Sequence, residues 1–571
     1  MKKAFTVGLV SVFMMGMSST HIVAQSESEP ETFETFAEWC LNQASLSQDA
    51  ARTVEVLLAT AGTQNCEQAD AILTALTELD LELGAISDVA PLASLTNLTE
   101  LNLPTNQISD IAPLARLTNL THLNLGQNEI VDLSPLASLT NLIRLSLGEN
   151  QISDITPLAE LTNLTILDLR NNQISNITPL AELTNLTELN LIQNQVVDIT
   201  ALVELTNLTW LFLGGNQISD ISSLAELTNL TQLDLQLNPI EDVTPLASLT
   251  NLSLLSVTSV QEVDLSLFAD LSDLTHLSIG GGQIRDLTPL ASLSNLTYLI
   301  LADQQIASIA PLENLTNLTF LVIYESQVTD ITPLTSLTNL TLLALDSNNI
   351  GDVTPLAGLT NLRQLSLRNN GIIDISPLAN LTNLDNLFLN DNGITDISPL
   401  AELTNLTTLQ LDNNEIADVA PLLGLTNIRN LDLRNNEIAD ISALANMTVM
   451  SELTLSRNQI TDVSSLSDMT RLYRLHLEHN AVSDVTPLSG LSNLTELILS
   501  DNQITNVTPL SSLTTLHRLL LADNQITDVS SLAGLWNLRE LSLHGNPISD
   551  RTCPVQPEEV CTFEPDPLLP N

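Results

Sequence analysis

An α/β solenoid is predicted, with one short parallel strand in each 22-residue coil, a helical N-terminal cap and a short, disulfide-closed C-terminal cap. Three observations carry this expectation. Aligned on Asn106, the same wording returns every 22 residues from Gly84 to Asn546, giving 22 copies with no insertion or deletion. Within each copy the apolar residues first alternate at period two and then recur in steps of three. The repeat stops at both ends, and the 4 cysteines sit there, two at each end.

The elements follow in chain order. Residues 1–24 read as an export signal: Lys2 and Lys3 precede an apolar run from Ala4 to Met17, and Ile22-Val23-Ala24 forms a cleavage site. The run is shorter than the ~20 apolar residues a membrane span needs. A secreted, periplasmic or cell-surface protein with no membrane span is therefore expected. Residues 25–32 form an acidic linker. From 33 to 78 the spacing turns helical, with Phe33, Phe36, Cys40, then Val54, Leu57, Leu58, then Ile72, Leu73 and Leu76 on the apolar side. The array fills 79–550, and 551–571 make the C-terminal cap and tail.

Inside a copy, Leu101 and Leu103 alternate with Glu100, Asn102 and Pro104, as in a strand with one buried face. Ile108, Ile111, Leu114, Leu117 and Leu120 then return along a tighter, 3₁₀-like path. One copy cannot bury these side chains alone, so neighbouring copies must stack. Two polar columns accompany the stack. The first is an Asn ladder, filled in 17 of 22 copies: Asn106, Asn128, Asn150, Asn172, Asn194, Asn216, Asn238, Asn348, Asn370, Asn392, Asn414, Asn436, Asn458, Asn480, Asn502, Asn524 and Asn546. A buried amide can serve backbone groups in its own turn and the next. The column fails at Gly84, Val260, Gly282, Gln304 and Ser326. The second column is Asp in 19 of 22 copies, Asp110, Asp132 and Asp154 among them, and reads as a cap on the following turn. A calcium-binding edge is the alternative, but the spacing lacks a compact ligand loop. The recurring "NLT" at Asn97, Asn119 and Asn163 reads as repeat grammar rather than as glycosylation sequons.

With neighbouring strands about 4.8 Å apart, the two caps stand roughly 100 Å from each other. A disulfide tolerates Cα separations of only about 4.4–6.8 Å, so Cys40 must pair with Cys66 and Cys553 with Cys561. The net charge of −50 excludes a nucleic-acid partner, which needs a basic surface, while 44% apolar residues are enough to fold.

The wording "NQISDITPLAELTNLTIL" from Asn150 and "NGITDISPLAELTNLTTL" from Asn392 resembles leucine-rich repeat proteins, specifically the bacterial internalin type. The resemblance covers roughly 79–550 and implies a horseshoe or arc with its strands on the concave face. The immunoglobulin-like region and sortase-type tail of many internalins are missing, so no invasin role is carried over.

An enzyme needs a nucleophile with its base, paired carboxylates in a cleft, or metal ligands. The cysteines are already paired, and only His476 and His479, around Glu478, lie close together; they read as surface histidines. No catalytic residue, metal or cofactor is expected. Freedom from the repeat lies instead on the concave strand face. There the column of Glu100 becomes apolar in mid-array, with Trp210, Leu254, His276, Tyr298, Phe320 and Leu342. Phe212, Ile300, Val322 and Tyr324 join it from neighbouring columns. Exposed apolar surface of this kind marks interaction sites, and the four copies with Val260, Gly282, Gln304 and Ser326 at the ladder position lie inside it. Further on, Glu452, Arg474, Glu496, Arg518 and Glu540 alternate in sign and read as an ion ladder. The expectation is a monomeric, secreted binding protein holding a protein or glycan on this face. A structural or adhesive surface-matrix rod without a discrete site is the alternative.

Overall fold

The computed structural model describes residues 33–281, 283–302 and 304–564. The expected export signal and linker, Gly282 and residues 565–571 lie outside the described residues. Three helices open the structure: α1 (Phe36–Leu41), α2 (Gln48–Ala61) and α3 (Cys66–Leu73). Each starts at a polar residue whose side chain accepts an otherwise orphaned backbone N–H: Thr35 from Glu38, Ser47 from Ala50 and Asn65 from Gln68. Phe36, Val54, Leu57 and Leu73 are fully buried in a core continuous with the array. Ile72 is not; its neighbour Leu73 takes the inward position and Ile72 stays 37% exposed. A disulfide joins Cys40 to Cys66, tying α1 to α3, with their Cα atoms 5.5 Å apart.

β1 (Glu78–Asp80) begins a parallel sheet of 23 strands among the described residues. From β2 (Glu100–Asn102) to β7 (Trp210–Phe212), and from β13 (Leu342–Ala344) to β22 (Glu540–Ser542), strands of 3 residues recur. Their register puts each residue against its equivalent in the next copy, as Leu101 against Leu123. β23 (Cys561–Thr562) covers the last coil, and Cys561 is bonded to Cys553 at a Cα separation of 5.7 Å. Short 3₁₀ turns such as Ala112–Arg116 make the return path. Between strand and turn lies a single core: Leu103, Ile108, Leu114, Leu117 and Leu120 are all fully buried.

Hydrogen bonds explain why the polar columns are so regular. Asn194 Oδ1 accepts from the Ile174 N–H at 3.0 Å, while its Nδ2 donates to the carbonyls of Leu169 at 3.0 Å and Leu191 at 3.1 Å. One amide thus ties its own turn to the preceding coil. Each Asp of the second column caps the turn two residues on, as Asp154 Oδ1 accepting from Thr156 N–H at 2.8 Å. Asn176 and Asn506 do the same at 3.0 Å. The "NLT" asparagines form a further ladder along the 3₁₀ side: Asn163 Nδ2 donates to the Thr140 carbonyl at 2.9 Å, and Asn119 to that of Thr96 at 2.9 Å.

The mid-array strands are longer. β8 (Gln232–Ile240), β9 (Leu254–Ser259), β10 (His276–Gly281), β11 (Tyr298–Ala302) and β12 (Phe320–Tyr324) run 9, 6, 6, 5 and 5 residues. The ladder Asn normally ends a strand by capturing the backbone of the preceding coil. Where Val260 replaces it, the backbone pairs with itself instead: Ile240 aligns with Ser259 after a register shift, and Val260 N–H donates to the Ile240 carbonyl at 3.1 Å. Gly281 permits the same extension, because a Cβ there would stand 2.4 Å from the Ser259 carbonyl oxygen. Gln304 corrects the sequence expectation. Its longer amide fills the ladder role, Oε1 accepting from Ile284 N–H at 2.7 Å and Nε2 donating to the Ile279 carbonyl at 3.3 Å.

Candidate partner-binding face

Strand register builds one continuous row on the outward face of the sheet. Leu254 pairs with His276, His276 with Tyr298, Tyr298 with Phe320, and Phe320 with Leu342. The rings stack along it: His276 on Tyr298 at 5.3 Å and 28°, Tyr298 on Phe320 at 4.1 Å and 18°. Alternation along the strand sends Leu299 and Leu321 into the core and leaves Tyr298 and Phe320 half-buried beside solvent. Ile300 and Val322 form a parallel row next to it, and Tyr324 extends the surface along β12.

Trp210 and Phe212 belong to a separate patch. Their rings lie 6.4 Å apart on β7, where they line a hollow of about 240 Å³ together with Ile166 and Glu188. The intervening strand β8 turns Gln232 and Asp234 to the same face, so polar side chains divide the two apolar groups. The single mid-array patch expected from the sequence is therefore two.

The C-terminal third is ionic. Arg474 reaches Glu496 through Nε at 2.9 Å and Glu452 through Nη1 at 3.0 Å; Arg518 reaches Glu496 at 2.9 Å and Glu540 at 2.7 Å. Burial pushes the Glu496 carboxyl up, but hydrogen bonds from Arg518 and Arg474 outweigh it and hold the group below its ordinary range. His476 and His479 do not converge: His476 faces Glu496 at 3.3 Å, whereas His479 sits in the turn and meets Asp501 at 2.6 Å. Among the described residues no group of three His, Cys, Asp or Glu could hold a metal ion. Between these regions lies a polar column that sequence reasoning missed, formed by Arg368, Asn390, Asp412, Arg434, Ser456 and Glu478. Nothing in a column read one strand position at a time marks it; its character comes from burial of Asp412 and Asp432, 7% and 9% exposed.

The family pattern described as "Leucine Rich repeats (2 copies)" matches residues 74–116, 118–160, 162–204, 206–248, 294–336, 338–380, 360–402, 404–446 and 514–551, and a single "Leucine Rich repeat" pattern matches 490–507. These spans skip 249–293, which holds β9 and β10, as well as 447–489 and 508–513. None of the curated proteins compared by sequence is significantly similar to the chain. Among solved structures, the Arabidopsis receptor kinase HAESA in complex with a peptide hormone and a co-receptor is similar at TM-score 0.59 and 21% identity, over 86% of this chain and 92% of that one. An internalin from Listeria monocytogenes is 28% identical over 80% of this chain and 95% of that one, at TM-score 0.32. A leucine-rich repeat protein of Leptospira interrogans is 23% identical over 70% and 96%, at TM-score 0.45. With matches spread along most of its length, the chain belongs to the leucine-rich repeat family.

Proposed function

We propose that this is an extracellular binding protein that holds a protein or glycan partner on the outward face of its sheet, with the Leu254–Leu342 row as the anchor. The observation that carries the reading is the ring stack of His276, Tyr298 and Phe320, in a chain with only 3% aromatic residues. Apolar surface held on rigid strands loses little entropy on binding, and Tyr is a typical anchor of interfaces. Extracellular placement rests on the two disulfides, which persist in oxidising compartments. No helix among the described residues is long and apolar enough to cross a membrane.

The test compares wild type with Tyr298→Ala, Phe320→Ala and Trp210→Ala, using Arg474→Ala in the ion ladder as the control. Immobilised protein is exposed to the native extracellular milieu and saturable ligands are identified. Tyr298→Ala and Phe320→Ala are expected to weaken capture by about thirtyfold, the equivalent of roughly 2 kcal/mol at a hot spot. Melting temperatures should barely move, because the Leu core lies on the other face. Loss confined to Arg474→Ala would move the site to the ionic third. Normal behaviour of all variants, with self-association of the chain, would favour a structural rod.

A further inference from the structure

A second part of the outward face is built for a ligand of different chemistry. β16 (Thr408–Gln410), β17 (Asn430–Asp432), β18 (Glu452–Thr454) and β19 (Arg474–His476) carry the polar column just beyond their C-terminal ends. The 22-residue register continues there, since Asn413 N–H donates to the Arg434 carbonyl at 3.0 Å, Asn435 N–H to that of Ser456 at 2.8 Å and Arg457 N–H to that of Glu478 at 2.8 Å. Asp412, Arg434, Ser456 and Glu478 are thus lateral neighbours. Asp432, from the next column, meets Arg434 Nη2 at 2.5 Å, and Asp412 stands 3.9 Å from Arg434 Nε.

The column is poorly satisfied from within. Buried side-chain atoms without a hydrogen-bond partner include Arg368 Nε, Asn390 Oδ1, Ser456 Oγ and Glu478 Oε2, all in this one column. Ser456 is 2% exposed, and its place in the alternation, between inward Leu455 and the outward Arg434 and Glu478, aims its hydroxyl into the cluster. Burial pushes the Asp412 carboxyl up to about 6, with Asp432 adding to the effect and Arg434 opposing it. Native proteins rarely leave buried polar atoms unpaired, and such groups call for an explanation.

Charge decides which ligand fits. Asp412, Asp432 and Glu478 all act on Arg434, and Arg457 lines the same hollow, so three carboxylates face two guanidiniums, while the nearby Arg474 is already held by two carboxylates. The unmet groups are mostly acceptors, and the excess charge is negative. A metal ion does not fit, because no three ligating groups converge among the described residues. A spread, multi-donor cation does fit.

Building on the reading of this face as a binding surface, we propose that the column from Asn390 to Glu478 seats a basic side chain, Arg or Lys, of a peptide segment whose apolar anchor rests on the Tyr298–Phe320 stack. Five strand steps separate Phe320 from Asp432, roughly 24 Å, which an extended peptide spans in about seven residues.

The experiment selects displayed random peptides of about twelve residues, long enough for that span, on the full chain and on Asp412→Asn/Glu478→Gln. A charge-matched control, Asp154→Asn/Asp198→Asn, lies on the turn edge away from the column. Wild type and the control are expected to enrich peptides with an aromatic or large aliphatic residue about seven positions from an Arg or Lys. The column variant should keep the apolar preference and lose the basic one. For one selected peptide, Arg→Gln should cost wild type at least roughly tenfold in affinity and the column variant little, the signature of a direct pair. Asp412→Asn alone, isosteric and relieved of a buried charge, guards against misfolding of the double variant. Apolar enrichment without a basic preference overturns this proposal and leaves the aromatic anchor standing. Equal basic enrichment on wild type and the column variant also overturns it, assigning the preference to overall charge. No enrichment above background, or glycans binding where peptides do not, overturns this proposal, while the reading of the face as a protein- or glycan-binding surface stands or falls on the capture experiment.

Discussion

At the scale of single residues, two sets of carboxylates stand in opposite positions. The turn-capping aspartates are held below the ordinary carboxylate range: Asp154 by the Thr156 hydroxyl and backbone N–H, Asp198 by the Thr200 N–H and hydroxyl. Their contribution to stability is present above the unfolded pKa and lost as pH falls through the lower folded value. Asp412 runs the other way. Burial and Asp432, with a lesser push from Asp391, raise its carboxyl to about 6 against Arg434. Between the ordinary carboxyl value of 3.8 and about 6 the folded state keeps a proton that the unfolded chain has released, so stability falls as pH rises through this window. Asp412→Asn is therefore expected to raise the melting temperature at pH 8, by the equivalent of about 1–3 kcal/mol. The gain should vanish well below pH 3.8, where both states of the wild type are protonated. Asp154→Ala should lower the melting temperature at pH 8 and lose its effect at low pH, while Asp154→Asn stays close to wild type, as Asn176 already fills that role. An Asp412→Asn variant no more stable than wild type at pH 8 would mean that the column is well solvated.

At the scale of the element, the ladder Asn sets strand length. Where Asn stands both in a coil and in the next one the strand stops at three residues, as in β6 (Glu188–Asn190) with Asn194 and Asn216, whereas β8 keeps Asn238 and its bonds yet runs 9 residues because the next coil has Val260. Without it, as at Val260, chain-to-chain pairing continues outward. Pairing replaces some of the lost bonds but not the cross-tie between turns, and Ser326 leaves its hydroxyl buried without a partner. Hydrogen exchange should therefore distinguish two classes of amide in the copies from 257 to 342. Strand amides of β9 and β10 should be as protected as those near Asn436, and turn amides around Val260 and Ser326 should exchange faster. Equal protection in both classes would mean that lengthened strands compensate in full. Much of this architecture could be read from the sequence, because a period of 22 without slippage fixes register, and register fixes which side chains meet. Tyr298 and Phe320 fell in one column for that reason. What stayed hidden depends on burial and on backbone response. The lengthening of β8 depends on where unpaired N–H groups turn, Gln304 passes for a failed position until its reach is seen, and the strain at Asp412 needs its desolvation.

For the whole molecule, stability is a chain of nearest-neighbour couplings, and among the described residues each coil pairs with the coils beside it. Each ladder Asn removed leaves backbone groups unpaired at roughly 1–3 kcal/mol, a large share of the coupling between two coils. Val260 and Ser326 place such losses close together near the middle of a rod otherwise stitched without interruption from Asn106 to Asn238 and from Asn348 to Asn546. Cooperativity should break there. Calorimetry is expected to resolve two transitions, one for each uninterrupted half. The caps then act as local labels. The Cys40–Cys66 bond closes a separation of 26 residues and Cys553–Cys561 one of 8, so on loop entropy the first is worth about 3.5 kcal/mol and the second about 2.5. Cys40→Ser/Cys66→Ser should lower one transition and leave the other in place, and Cys553→Ser/Cys561→Ser should do the reverse with a smaller shift. Val260→Asn/Ser326→Asn, which returns the missing cross-ties, should draw the two transitions together. A single transition with equal calorimetric and van't Hoff enthalpies, lowered as a whole by either cap variant, would show that coupling through β8 to β12 is as strong as anywhere else. In that case the longer strands would have restored what the missing amides removed.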